Sequence, residues 1–175
     1  MKTAIFVIWI AFWAYWLLAA IGAKPGSRPR APGVVRLLVA AFVVARVLRG
    51  NALAVHSLAL QIAGTVVFAC GIGAAVWARI YLGRNWGMPM TQKAEPELVT
   101  RGPYRVVRHP IYAGILLALL GTSLATNLYW LVAFVLCAAY FVHSARAEER
   151  VLTKSFPAAY PPYRARTKML IPFVL

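Results

Sequence analysis

Apolar residues run through this chain in long stretches, separated by short runs rich in proline, glycine and arginine. The first stretch, residues 3–22, is long enough to cross a bilayer as a helix. Trp9, Trp13 and Trp16 fall at helical spacing on one of its faces. Such a stripe packs against other helices or lies toward the membrane interface, and less commonly lines a lipid groove. Residues 24–33 hold Pro25, Gly26, Pro29, Pro32 and Gly33 and predict a loop. Residues 34–48 predict a second, shorter span, with Arg46 and Arg49 snorkelling at its end. A turn at Gly50-Asn51 leads into a long third span over residues 53–82. Gly64, Gly71 and Gly73 in that span allow neighbouring helices to approach closely. His56, near the start of the span, reads as an interfacial polar residue. Residues 83–101 predict a polar connection, because Gly83, Gly87, Pro89 and Pro96 disfavour a long helix. Residues 111–126 and 128–143 predict a fourth and a fifth span around a turn at Asn127. Both are short for a bilayer and call for tilt, thinning or partial insertion. Residues 144–175 read as a basic amphipathic tail, interrupted by Pro157, Pro161, Pro162 and Pro172.

This pattern predicts an all-α integral membrane protein with five transmembrane helices in a single membrane domain, residues 1–175. Its expected parts are three N-terminal spans (1–82), a connection (83–110), a helical hairpin (111–143) and a C-terminal tail (144–175) that covers a pocket. The composition agrees: 62% of residues are hydrophobic and the mean hydropathy is +0.70, well above the apolar share of ordinary soluble domains. A net charge of +15 is also compatible with a nucleic-acid partner. Runs of near span length make the membrane the better account and argue against nucleic acid. With the N-terminus outside, five spans put sixteen Lys and Arg residues on one side and only Lys2, Arg46 and Arg49 on the other. Cations gather on the cytoplasmic side of membrane proteins, so the C-terminus is expected there. All four acids, Glu95, Glu97, Glu148 and Glu149, fall on that same side. The first apolar run is read as a retained span, since it is long, rich in Trp and Phe, and lacks a clear A-x-A site after it. Cys70 and Cys137 sit inside apolar runs without metal-ligand spacing and read as packing residues, and no metal site is expected.

Chemistry concentrates in three places. The first is residues 101–114, which contain Arg101, Arg105, Arg108, His109, Pro110, Tyr104, Tyr112 and Gly114. Pro110 suits the first position of a helix, which places His109 near the N-cap. The free N–H groups of such a helix start form an anion site. Arg108 adds a guanidinium able to hold a carboxylate in a fork, and Gly114 leaves room for a ligand one turn in. A proline-capped helix whose arginines face lipid phosphates explains the same residues. The second place is Glu148-Glu149, able to bind an ammonium group or ribose hydroxyls, or else to pair with Arg146, Arg150 or a basic loop. Helix neighbours point about 100° apart, so one carboxylate should face a pocket and the other a loop or solvent. Glu149 lies three residues after Arg146, where an ion pair is available. The third place is Tyr160-Pro161-Pro162-Tyr163-Arg164, whose rings either cover a ligand or anchor the tail at the interface. No Gly-x-Gly-x-x-Gly after a strand, P-loop, HExxH or GxSxG is present, and the chain contains no Asp.

The run Leu98-Val99-Thr100, Gly102-Pro103-Tyr104-Arg105, Val107-Arg108-His109-Pro110, Tyr112 and Gly114 closely resembles the signature of the isoprenylcysteine carboxyl methyltransferase family and its bacterial phospholipid-methyltransferase relatives. Glu148-Glu149, Leu152, Phe156, Tyr160 and Tyr163, with Leu170-Ile171-Pro172, resemble that family's second block. The two blocks cover most of residues 98–172; the first half of the chain matches only as apolar spans. The resemblance implies an integral-membrane, S-adenosylmethionine-dependent methyltransferase of a bacterial inner membrane, with its cofactor pocket at the cytoplasmic surface and a lipophilic small molecule or lipid head group as acceptor. It implies that Tyr104, Arg108, His109, Pro110, Tyr112, Gly114, Glu148, Glu149, Tyr160 and Tyr163 serve the cofactor. Of these, Arg108 and Glu149 are the residues whose loss is expected to stop turnover, with His109 and Tyr112 next; the resemblance itself does not rank the two glutamates. The family often carries Gly-Glu-Glu before the first tail tyrosine; here Pro157-Ala158-Ala159 stands there, which removes an acid pair available for substrate contact. Two other readings compete. One is a nicotinamide-dependent membrane reductase of the sterol reductase type, against which the short chain argues. The other is a non-enzymatic binder of anionic membrane lipid.

Overall fold

The structure is a computed structural model, and it describes residues 1–21, 26–27, 53–85, 92–93 and 97–172. Within these residues the architecture is helical: α1 (Lys2–Ile21), α2 (Leu58–Leu82), α3 (Pro110–Ala125), α4 (Trp130–Ser155) and α5 (Tyr160–Arg166). Short 3-10 turns occupy Gly83–Asn85 and Gly102–Arg105, and two-residue strands β1 (Gly26–Ser27) and β2 (Gln92–Lys93) pair antiparallel. Helices α1, α2 and α4 are long and apolar enough to cross a membrane, and α3 is a shorter apolar helix. Four of the five expected spans therefore have a helix in place; the expected span at 34–48 lies outside the described residues.

Two boundaries differ from expectation. The third span starts at Leu58, not at residue 53, with Ser57 as N-cap accepting from the Leu60 N–H. The preceding backbone is drawn off into a bridge between Ala54 and Asn127, with Val55 N–H donating to Thr126 O and Leu128 N–H to Leu53 O. The fifth helix does not end near His143 but runs on to Ser155. Between Ser144 and Ser155 there is neither proline nor glycine, and Ala, Arg, Glu, Leu and Lys dominate, so nothing halts the helix before Pro157. Glu148 and Glu149 thus stand on a rigid helix.

The core forms where small residues let helices meet. A Cβ built on Gly64, Gly71, Gly114 or Gly121 would lie 2.2–2.6 Å from backbone nitrogens of the facing helix, so α2 and α3 touch backbone to backbone. Gly114 consequently faces Ala75 of α2, so the space left by its missing side chain is filled by the neighbouring helix. Helix α1 buries Ile5, Trp9, Phe12 and Trp16, one stripe at helical spacing, while Trp13 is 42% exposed and points outward. Trp9 Nε1 donates to Thr122 Oγ1 at 3.0 Å, and Thr122 donates in turn to Ala118 O at 2.8 Å. The tryptophan stripe is therefore packing, with one hydrogen bond tying α1 to α3.

Backbone pairings sort the connections into two groups. Gly26–Ser27 pairs with Gln92–Lys93, and Val107 bridges Lys168 in the tail. At the opposite ends of α2 and α3, Ala54 bridges Asn127. Buried Arg79 ties the end of α2 to the end of α1, donating to Gly83 O at 2.7 Å and to Ala19 O at 2.8 Å.

Candidate functional site

The chain enters α3 as the local sequence dictates: His109 is the N-cap and Pro110 opens the helix. What holds this entry is the tail. Arg108 N–H donates to Lys168 O at 2.8 Å, and His109 N–H donates to Met169 O at 3.0 Å. The Arg108 side chain turns the same way. Its Nε donates to Glu149 Oε1 at 2.7 Å, and its Nη1 donates to Arg164 O at 3.2 Å and to Thr167 O. The fork expected to seize a ligand carboxylate is largely committed within the protein, where it ties α3, α4 and α5 together.

Both glutamates meet His109. Glu148 Oε2 lies 3.5 Å from Nδ1, and Glu149 Oε1 lies 3.4 Å from Nε2. The expectation that only one of them faces the pocket is thus corrected. An imidazole presents nitrogens on two sides, so carboxylates that diverge along a helix can still close on one ring. Of the partners open to Glu149, the structure selects Arg108 in the basic connection and, at 3.5 Å, Arg164, not Arg146. Arg146 is solvent-exposed. Glu148 accepts from Tyr112 Oη at 2.5 Å. The ring of Tyr112 stacks on His109 on one side and on Phe141 on the other, with centroids 5.5 and 4.5 Å apart and interplanar angles of 4°.

Electrostatics follows from this geometry. Burial opposes a charge on His109, but hydrogen bonding and attraction from Glu148 and Glu149 outweigh it and hold the ring above its ordinary value. Burial raises the phenols of Tyr104, Tyr160 and Tyr163, the last to about 12, so all three stay neutral hydrogen-bonding groups. Tyr163 Oη donates to Tyr104 O at 2.7 Å, joining α5 to the 3-10 turn before α3. Tyr160 is fully buried, and its hydroxyl has no hydrogen-bond partner among the described residues. Beside it a concavity of about 360 Å³ is lined by Thr153, Tyr160, Pro161, Arg164 and Ala165.

Arg108, His109, Tyr112, Glu148 and Glu149 therefore form one connected cluster, with Tyr104, Tyr160 and Tyr163 around its tail side. Gly114 lies apart in the helix interface, and Pro110 acts through the helix start. Sequence reasoning missed Phe141 and the carbonyls of Arg164 and Thr167. Carbonyls have no side-chain signature.

Residues 59–159 match the model of the phospholipid methyltransferase family. The chain belongs to the phospholipid methyltransferase family. The match contains α3 and α4, hence the whole Arg108–Glu149 cluster, and stops just before Tyr160. The chain is 41% identical over 69 residues to methanethiol S-methyltransferase 2 of Bradyrhizobium diazoefficiens, covering 39% of this chain and 26% of that protein. It is 31% identical over 94 residues to the nickel-cobalt-cadmium resistance protein NccN of Alcaligenes xylosoxydans xylosoxydans, covering 52% and 44%. To the cobalt-zinc-cadmium resistance protein CzcN of Cupriavidus metallidurans it is 33% identical over 94 residues, covering 52% and 43%. The chain spans less than half the length of these relatives. Family membership supports methyl transfer as the class of chemistry.

Proposed function

We propose that the protein is an S-adenosylmethionine-dependent methyltransferase acting on a lipophilic acceptor at the cytoplasmic face of a bacterial inner membrane. The observation that carries the reading is the clamp on His109, with Glu148 and Glu149 on its two nitrogens and Tyr112 stacked on its face. It gathers carboxylates and aromatic faces, the groups that attract cations, at the end of an apolar bundle. The donor set fits the cofactor. Glu148 suits an ammonium or sulfonium. Arg164, 3.5 Å from Glu149 but 59% exposed on its side chain, is a guanidinium able to meet a ligand carboxylate as well. The partnerless Tyr160 hydroxyl, beside the concavity of about 360 Å³, suits a polar group of the ligand.

When bound, the cofactor supplies an electrophilic methyl carbon. The chain's own residues contribute position and proton handling. Arg108 fixes Glu149 and the tail; Tyr112 fixes Glu148. An acceptor arriving as an ammonium must first lose a proton, and the Glu148 carboxylate is the group placed to take it. A thiolate or carboxylate acceptor needs no base. In-line transfer then depends chiefly on positioning.

Two measurements test this. Labelled S-adenosylmethionine should bind the purified protein, with NADPH as the competing arm; binding of NADPH alone, or of neither, rejects the reading. In a background lacking Cys70 and Cys137, a thiol placed at Asn127 should react from outside the cell and one at Gln92 should not. The reverse pattern would put the site on the other face.

A further inference from the structure

The outer face of α4 changes character along its length. Val132 and Val135 are 38% and 60% exposed. Further along come His143, Arg146, Arg150 and Lys154, all exposed. At 3.6 residues per turn these positions lie within about 100° of one another around the axis, so they share one face. Its first half is apolar and its second half is basic. The two acids of the same helix are engaged elsewhere: Glu149 is buried against Arg108, and Glu148 meets Tyr112 and His109. Among the described residues, Arg146, Arg150 and Lys154 have no acidic partner. The helix carries them rigidly, because it continues to Ser155.

A basic face in water needs no ligand, but this one lies at a definite depth. The apolar part of α4, residues 130–142, is about 20 Å long, against a hydrocarbon core of about 30 Å. A helix with so short an apolar part draws its flanking residues toward the head groups. Long cationic side chains then reach the phosphates while their stems stay against lipid. Val135 and Arg146 stand about 16 Å apart along the axis, close to the hydrocarbon depth of one leaflet.

We propose that this face of α4 binds an anionic phospholipid, with an acyl chain along Val132 and Val135 and the head group on Arg146, Arg150 and Lys154. Charge selects the head, and the apolar half of the face selects the tail. Basic residues beside a membrane span attract anionic lipid in this way. A free phosphate lacks the tail, and a soluble acidic polypeptide gains nothing from the apolar half. The surface is separate from the His109 cluster, and the proposal does not depend on the methyl-transfer reading.

The test uses the full chain in micelles of a neutral detergent. Phosphatidylglycerol and phosphatidylcholine with identical acyl chains are titrated in, and binding is read from the rise in melting temperature. Inorganic phosphate and polyglutamate are two further arms. Phosphatidylglycerol should bind more tightly than phosphatidylcholine by about tenfold or more, the scale of several cations beside an anionic head group. Arg146→Gln/Arg150→Gln/Lys154→Gln should lose that advantage and bind the two lipids alike. Arg146→Lys/Arg150→Lys keeps the charge and should keep the advantage. Removing the same charge elsewhere, in Arg101→Gln/Arg105→Gln/Lys168→Gln, should also leave it. All these side chains are exposed, so without lipid each variant should melt with the parent. Four results overturn the proposal. The parent binds phosphatidylcholine as tightly as phosphatidylglycerol; the α4 triple variant keeps the full advantage; the variant altered elsewhere loses as much; or inorganic phosphate or polyglutamate stabilises the protein as well as phosphatidylglycerol does.

Discussion

Arg108 Nε lies 2.7 Å from Glu149 Oε1, and the two side chains are only 9% and 5% exposed. Forty-one residues separate the partners. This contact joins the start of α3 to the inner part of α4, and the remaining Arg108 donor bonds extend it to the tail. A buried pair of this kind gives modest net stability when intact and exacts a large penalty when one member is removed.

Arg108→Ala should therefore destabilise the protein by roughly 3–5 kcal/mol, read from thermal or denaturant unfolding in detergent. Pairing it with Glu149→Gln should cost less than the sum of the two single changes. Arg108→Lys should restore only part of the loss, because an ammonium cannot meet a carboxylate and two carbonyls in the guanidinium's fixed geometry. Additive losses would show that the contact does not couple the helices.

His109 makes stability depend on pH. Its folded-state value is raised by Glu148 and Glu149. The stabilisation is thus fully present below about 6.5, the ordinary histidine value, and is lost as pH rises through the higher folded-state value. The melting temperature of the parent protein should fall over that interval, and His109→Gln should lack this fall. A parent and a variant with parallel profiles would remove His109 from the account.

The glycine interface predicts a contrast within one helix. A Cβ at Gly71 would stand 2.3 Å from Ala118 N, whereas one at Gly73 meets nothing within 4 Å. Gly71→Ala should force α2 and α3 apart at a cost of about 1–3 kcal/mol. Gly73→Ala should be neutral or stabilising by up to about 1 kcal/mol through helix propensity. Equal effects in unfolding experiments would argue against backbone contact between these helices.

Trp9→Phe keeps most of the buried ring and removes its bond to Thr122. The expected loss is about 0.5–1.5 kcal/mol. Thr122 retains its own bond to Ala118 O, so no donor is stranded. Trp13→Phe, on the exposed side of α1, should change unfolding little.

Whatever depends on a short window of chain was legible in the sequence. The spans could be read because hydrophobic length is a linear property, and α1 and α3 fall within a residue or so of their expected bounds. Pro110 announced the start of α3 because its fixed φ and missing N–H suit one helical position. The family match covers the first block and the Glu148–Phe156 part of the second, and stops before Tyr160. The tertiary structure decided the rest. Whether Glu149 pairs with Arg146 on its own helix or with Arg108 across the bundle depends on which helices are neighbours, and local spacing favours the wrong answer. Gly114 reads equally well as room for a ligand or for a helix; only the position of α2 selects the helix. The divergence of Glu148 and Glu149 along α4 was a correct local inference. It failed because His109, delivered from another element, offers a nitrogen to each. Long-range pairings of this kind are chosen by packing and burial of the whole bundle, which no stretch of ten residues contains.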